Sequence, residues 1–323
     1  MIGMNDMDLY KHILDAVSRI SNFARETTLS RSEYFSREMN AQVYFKLENQ
    51  QVTGSFKVRG ALNKILSLSE SEKQRGVLSA STGNHGAAVA HASKEANIEC
   101  NIYVPNGSSE AKISNIRIRG AKINVFGDDC IEAEEKAREL AELNGLTYVS
   151  PYNDVQVMAG QGTLGAEIKN QIDELDVIII SVGGGGLMAG TATYLRSKWP
   201  KIRIVGCSPE NSAVMIHSME AGKILNLESL PTLSDGTAGG VEESSITFPL
   251  CCDLIDETVL VSEQEIKEAM VIYMQNEHQL IEGAAGTAVA ALLKIKNQLK
   301  GKRIGVVICG GNIALDTLRE VIN

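Results

Sequence analysis

The chain has 323 residues, of which 44% are hydrophobic and 22% are charged, and its formal net charge is −9 at pH 7. This composition is typical of a globular protein with two lobes, and the negative charge argues against nucleic acid or anionic membranes as partners. No apolar run is long enough to cross a membrane, and residues 1–8 lack the pattern of a secretory signal. The six cysteines have neither zinc-binding nor disulfide-framework spacing, so we expect free thiols, no metal site and a cytoplasmic location.

Short β-branched runs alternate with amphipathic stretches along most of the chain. These runs predict strands at Val43–Leu47, Ile98–Val104, Lys122–Phe126, Asp176–Val182, Ile202–Val205 and Ile304–Ile308. The amphipathic stretches predict helices at Phe56–Leu68, His85–Ala96, Ile131–Asn144, Gly162–Gln171, Glu263–Gln275 and Gly283–Lys296. Alternating strands and helices imply right-handed crossovers, so we expect an α/β fold of mostly parallel sheets covered by helices.

The first motif that could carry chemistry is Ser55-Phe-Lys-Val-Arg-Gly60, at the start of a predicted helix. A single lysine is usually a solvated surface cation. A lysine that forms an imine with a carbonyl cofactor must instead be partly desolvated, so that its neutral amine is accessible. Phe56 and Val58 provide apolar neighbours, which makes Lys57 a candidate for this chemistry.

The second motif, S-T-G-N-H-G from Ser81 to Gly86, opens the next predicted helix. Backbone N–H groups at such a position can hold a carboxylate, and the Asn84 amide can donate to a phenolate oxygen. The structural alternative is a helix N-cap with turn glycines. His85 is a candidate general base, although a single histidine without a partner is more often structural.

The third motif places four adjacent glycines, Gly183 to Gly186, between a buried strand and an amphipathic helix. Backbone N–H groups and the helix dipole hold phosphate at such junctions, and glycines let the main chain approach closely. A tight turn that packs against the sheet is the structural alternative. Gly184, Gly186 and Ala189 also match the G-x-G-x-x-A pattern of a dinucleotide site. That NAD-binding alternative leaves the other two motifs unexplained.

The three motifs together supply an imine-forming lysine, a carboxylate cradle and a phosphate cradle. With A-G-Q-G-T, E-G-A-A-G and C-G-G-N, in this order, they resemble the fold-type II family of pyridoxal-phosphate (PLP) enzymes. Within it the chain is most similar to the threonine/serine dehydratase and serine racemase branch. The resemblance implies a tryptophan synthase β-like fold. Residues 1–72 with 150–323 would form the large PLP-binding domain, and residues 73–149 a small inserted domain.

The resemblance also implies roles for residues at the cofactor. Lys57 would form the imine, Phe56 would lie against the pyridine ring, and Asn84 would bind the 3′-oxygen. Glu282 would open the segment that closes beneath the cofactor. Cys309 would face the pyridine nitrogen, where a neutral partner leaves that nitrogen unprotonated. The phosphate would be bound by Gly183, Gly184, Gly185, Gly186 and Leu187.

The implied reaction is the dehydration and deamination of L-threonine, L-serine or a related β-hydroxy amino acid to a 2-oxo acid and ammonia, with Lys57 as the base. The resemblance also implies a homo-oligomer. The Pro151-Tyr-Asn-Asp154 stretch resembles the dehydratases more than the racemases. The substrate carboxylate would be held by Ser81, Thr82, Gly83, Asn84, His85 and Gly86.

Two alternatives within PLP chemistry remain open. Serine racemases carry Ser at the position of Thr82, where it acts as a second base, so a serine or aspartate racemase with dehydratase side activity is the nearer alternative. The divalent-metal ligands of animal racemases correspond to Ser208 and Val214 here, which predicts no metal site. A non-catalytic PLP-binding protein is more distant, because Lys57 is intact.

Overall fold

The computed structural model describes residues 6–323. Its strands are β1 (Leu29–Ser32), β2 (Gln42–Leu47), β3 (Val77–Ala80), β4 (Cys100–Val104), β5 (Lys122–Val125), β6 (Thr147–Tyr148), β7 (Val177–Ser181), β8 (Arg203–Pro209), β9 (Glu257–Val261) and β10 (Arg303–Ile308). Its helices are α1 (Asp6–Ile20), α2 (Glu33–Met39), α3 (Lys57–Leu66), α4 (Glu70–Arg75), α5 (Asn84–Glu95), α6 (Glu110–Arg117), α7 (Cys130–Asn144), α8 (Val155–Gln171), α9 (Gly186–Lys198), α10 (Val214–Ala221), α11 (Thr247–Leu254), α12 (Glu263–Glu277), α13 (Gly283–Lys294) and α14 (Leu315–Ile322). Among these helices, none is both long and apolar enough to span a bilayer.

The strands form two sheets. The six-stranded sheet has the order β1-β2-β10-β7-β8-β9, and the four-stranded sheet has the order β5-β4-β3-β6. The β1–β2 pair is antiparallel, while the other strand pairs are parallel. Every residue of β7 is buried, as a strand covered by helices on both faces requires. The predicted α/β fold of mostly parallel sheets is therefore confirmed.

Each sheet has its own hydrophobic core, and α3 belongs to the second of them. Val58, Leu62 and Ile65 of α3 are buried in one cluster with Ile102 and Val104 of β4. The four-stranded sheet uses residues 77–148. We propose the expected division into 73–149 and the remainder as the two lobes. Helix α3 then lies in the large lobe by sequence and contributes to the core of the small one.

Helix α8 begins at Val155, well before the predicted start at Gly162. Asp154 caps it, since its carboxylate accepts from the backbone N–H groups of Gln156 and Val157. Gly160 makes this part look non-helical in sequence, because glycine disfavours helices. A Cβ on Gly160 would lie 2.4 Å from the Arg59 carbonyl oxygen, so the glycine allows α8 to pack closely on α3.

A cluster of buried charges lies beneath α3. Arg59, 1% exposed, donates from Nε to Glu48 Oε2 at 2.7 Å and from Nη1 to Glu167 Oε1 at 2.6 Å. Lys46 donates to Glu167 Oε2 at 2.6 Å. Burial would raise the pKa of Glu48, but the Arg59 guanidinium lowers it below its usual value. The cluster thus anchors the first turn of α3 through desolvated ion pairs.

Replacing Arg59 should destabilise the protein strongly. Arg59→Leu leaves the carboxylate of Glu48 buried without its partner, which costs about 3–5 kcal/mol of unfolding free energy. Arg31→Leu is the matched control, because Arg31 pairs with Glu33 at 2.7 Å with both side chains solvent-exposed, and such pairs contribute about 0–1 kcal/mol. Urea unfolding of both variants tests this. Equal losses would show that the cluster contributes no more than a surface pair.

Candidate active site

A cavity of about 470 Å³ is lined by residues that follow strands of both sheets. The carboxyl ends of three parallel strands point to it: β3 leads to Ser81, β7 leads to Gly183, and β10 leads to Cys309. Ligands of open α/β sheets bind at this edge of the strands. The cavity wall contains every site residue predicted from the sequence except Gly86. A Cβ on Gly86 would lie 2.3 Å from the Ser81 carbonyl oxygen, so that glycine serves the turn behind the wall.

Lys57 is the first residue of α3, and its amine is enclosed by protein groups. Its Nζ donates to the Pro151 carbonyl oxygen at 2.9 Å and lies 5.2 Å from the centroid of the Phe56 ring. Burial lowers the pKa of Lys57 to about 8, against smaller opposing effects of Cys309 and Glu282. Roughly a tenth of the amine is then neutral at pH 7, compared with well under a thousandth for an ordinary lysine. The amine is therefore available as a nucleophile or base.

The glycine loop is shaped by close contacts that no side chain would allow. A Cβ on Gly184 would lie 2.4 Å from the Tyr152 ring, and one on Gly183 would lie 2.7 Å from the Thr237 carbonyl oxygen. Gly185 has a φ of +84°, a conformation that side chains rarely adopt. Helix α9 starts at Gly186, so its first N–H groups have no partner within the helix and can hold an anion.

The second cradle is formed by Ser81 to Asn84, where α5 begins. The Gly83 N–H donates to Ser81 Oγ at 3.1 Å, and Thr82 and Asn84 line the cavity. His85 is turned aside, because its Nε2 donates to the Val149 carbonyl oxygen at 2.9 Å. Burial lowers the pKa of His85 to about 3, so the imidazole is neutral. The ring anchors α5 and is poorly suited to act as a general base.

Cys309 and Glu282 form the far wall. Burial raises the pKa of the Cys309 thiol well above its usual value, and the nearby Glu282 raises it further, so the thiol stays neutral. Burial also raises the pKa of Glu282 to about 7, although hydrogen bonds from Asn84 partly oppose this rise. Both groups can therefore meet a ligand without carrying a full negative charge at neutral pH.

The wall also contains residues that were not assigned a role from the sequence. Two of them lie in motifs: Tyr152, against Gly184, belongs to the dehydratase-like stretch from Pro151, and Asn312 belongs to the C-G-G-N motif. Two others, Lys112 of α6 and Asp235 in the connection after α10, approach to 3.3 Å at the cavity, and no local pattern marks either residue.

The site fits PLP by three independent features. The cavity is large enough for the cofactor with a small amino acid, given that ligand sites usually span about 300–1,000 Å³. The glycine loop at the start of α9 has free N–H groups that suit a phosphate, and a Cβ on Gly183 or Gly184 would clash with the residues that shape the loop. Lys57 supplies an amine of lowered pKa on the same cavity. Lys57 would hold the cofactor, which when bound supplies an aldehyde and an electron sink.

Comparison with known proteins agrees with this fit. A family model described as pyridoxal-phosphate dependent enzyme matches residues 20–310. A catabolic L-threonine dehydratase of Staphylococcus aureus is 41% identical over 314 residues, which cover 96% of this chain and 90% of that protein. Threonine deaminase isoform 2 from Solanum lycopersicum matches with a TM-score of 0.93 and 32% identity over 99% of this chain and 94% of that chain. Maize serine racemase matches with a TM-score of 0.91 and 30% identity over 97% and 96%.

These matches confirm the resemblance seen in the motifs and PLP as the cofactor, and they remove the basis of the NAD-binding alternative. The chain therefore belongs to the family of pyridoxal-phosphate-dependent enzymes, in its fold-type II group.

Proposed function

We propose that this enzyme removes water and ammonia from a small β-hydroxy amino acid, L-threonine or L-serine, and releases a 2-oxo acid. The observation that carries the proposal is the enclosed amine of Lys57, whose pKa of about 8 suits a base that works near neutral pH. Support comes from the S. aureus relative, a threonine dehydratase, and from the threonine deaminase of S. lycopersicum.

The residues of the cavity divide the work between binding and proton transfer. The turn from Ser81 to Asn84 would hold the substrate carboxylate through the N–H groups of Thr82 and Asn84, as helix N-termini hold anions. Lys57, on the same cavity, would take the α-proton. The neutral thiol of Cys309 would face the pyridine nitrogen without protonating it. An unprotonated ring nitrogen weakens the electron sink of the cofactor, so loss of the β-hydroxyl is favoured over inversion of the α-carbon.

Two further properties belong to this proposal. We propose that the enzyme is a homo-oligomer, in line with the branch that it resembles. We also propose that it acts in the cytoplasm, where its six free cysteines would stay reduced.

A racemase is the second candidate, because the serine racemase of maize shares the fold at a TM-score of 0.91. Racemisation requires a proton donor on the face of the α-carbon opposite Lys57. Thr82 lines the cavity and is the candidate for this proton donor. Its branched Cβ restricts the directions from which the hydroxyl can approach. Elimination needs no second base, so we give it precedence.

Uptake of PLP by the cofactor-free protein should follow the titration of Lys57. Since the neutral amine reacts, the rate should rise from about pH 6.5, reach half of its maximum near pH 8 and level off about one pH unit higher, where most of the amine is neutral. Stopped-flow absorbance measures the rate, and borohydride reduction with peptide mapping identifies the lysine. Lys57→Ala protein should fold and form no covalent product. Cofactor trapped on Lys112, which lines the same cavity, would contradict the assignment.

Cys309 should tolerate a hydroxyl and reject a carboxylate. Cys309→Ser keeps a neutral group at the pyridine nitrogen, so most of the elimination activity should remain. Cys309→Asp adds a carboxylate near Glu282 that would favour protonation of the ring nitrogen, and elimination should fall about tenfold or more, a barrier change of about 1.4 kcal/mol. Steady-state assays with L-threonine and absorption spectra distinguish the two. An inactive Cys309→Ser protein with a normal cofactor spectrum would show a further role for the thiol.

Elimination should outrun inversion of the α-carbon. With L-serine, the 2-oxo acid should form about tenfold faster than D-serine, if the barriers differ by about 1.4 kcal/mol. Thr82→Ser should raise the inverted fraction, and Thr82→Ala should lower it with elimination largely kept. Chiral chromatography of timed reactions measures both products. D-serine that appears as fast as the 2-oxo acid would favour the racemase.

A further inference from the structure

The amide of Asn84 is held on both sides by residues of the large lobe. Its Nδ2 donates to Glu282 at 2.9 Å for Oε1 and 3.0 Å for Oε2. Its Oδ1 accepts from the Asn312 Nδ2 at 2.6 Å. The Asn312 amide nitrogen only donates, which by itself determines which way the Asn84 amide faces, and the ionised form of Glu282, which only accepts, favours the same orientation. A single N–H of Nδ2 that points between the two oxygens of Glu282 is sufficient for both contacts, and Asn84 lines the cavity, so the other N–H can serve a ligand there.

The two partners are themselves fixed. Asn312 also donates from Nδ2 to the Thr53 carbonyl oxygen at 2.9 Å, and its backbone N–H donates to Glu282 Oε2 at 3.1 Å. A Cβ on Gly310 would lie 2.5 Å from Glu282 Oε1, so the glycine leaves space for the carboxylate. The network therefore joins three separate segments: the start of α5, the start of α13, and the loop after β10.

Glu282 is used in an unusual way. It is the N-cap residue of α13, where an acidic side chain ordinarily bonds the free N–H groups of its helix. Its side chain makes no such bond and reaches across to Asn84 instead. It is also only 3% exposed, and burial disfavours its charge. A carboxylate that is buried at a cost and caps nothing points to a role outside the helix.

We propose that Glu282 and Asn312 are positioning residues that orient the Asn84 amide as a hydrogen-bond donor toward the cofactor's 3′-oxygen. They would also connect the small lobe's α5 to the large lobe at the base of the cavity. The inference rests on PLP binding and hence on the proposed function. It adds that the orientation of the Asn84 amide is set by two residues that need not contact the cofactor's 3′-oxygen themselves. Without them the amide could rotate and present its oxygen to a phenolate, which is repulsive.

A double-mutant cycle tests this inference. Glu282→Gln and Asn312→Asp each replace one correct partner by a nearly isosteric group of the wrong hydrogen-bonding character, and each is made in the native chain and in Asn84→Ala. The readouts are the PLP dissociation constant, from equilibrium dialysis, and the wavelength of the cofactor absorption band. In the native background each change should weaken PLP binding about tenfold, equivalent to about 1.4 kcal/mol, and shift the band.

In the Asn84→Ala background the same two changes should alter the dissociation constant less than about twofold, because neither residue then has an amide to orient. Glu263→Gln is the control, since Glu263 is a carboxylate from the neighbouring α12 that accepts from the Leu233 N–H. It should leave both readouts unchanged. Equal effects with and without the Asn84 amide would overturn the inference. A native protein that shows no cofactor band at all would instead overturn the proposed function.

Discussion

The structure depends on keeping one amine partly out of water beside two anion cradles. Lys57 has to lose enough solvent for its pKa to fall to about 8, yet remain open to the cavity. The Phe56 ring and the Pro151 carbonyl provide this environment, because the ring excludes water and the carbonyl accepts one hydrogen bond. The cradles at α5 and α9 provide fixed N–H groups rather than mobile cations. Anions can then bind close to the lysine through N–H groups that carry no full positive charge.

The titratable groups that line the cavity are distinct from the buried ion pairs that stabilise α3. The buried cluster of Arg59, Glu48, Glu167 and Lys46 does not line the cavity, and its charges neutralise one another. On the cavity side, His85, Cys309 and Glu282 all have pKa values shifted toward their neutral forms by burial.

Several polar contacts near this site join residues 73–149, the proposed small lobe, to the rest of the chain. Lys112 pairs with Asp235 at the cavity wall, and Arg138 of α7 pairs with Glu242 at 2.8 Å. The contacts of Asn84 with the large lobe lie at the base of the same cleft. Polar contacts at the cavity therefore connect segments that pack around two separate hydrophobic cores.

Local pattern alone was sufficient for the α/β class and for the motifs around Lys57, Ser81 and Gly183, because each depends on neighbours in the chain. It missed β1, β3, β6 and β9. Of these, β1, β6 and β9 are edge strands with a partner on one side and therefore a weak hydrophobic pattern, and β3 is only four residues long. It also placed the start of α8 too late, because a glycine that disfavours a helix locally is required where two helices nearly touch. The roles of the predicted site residues remain predictions.

Tertiary structure alone decided which distant groups meet. No spacing rule joins Asn84 to Glu282, 198 residues away, or Lys112 to Asp235, 123 residues away. Nor could sequence reveal that His85 donates to a carbonyl or that burial brings the pKa of Lys57 near neutrality. Those properties depend on desolvation and on hydrogen-bond partners, and both arise only when separate segments pack together.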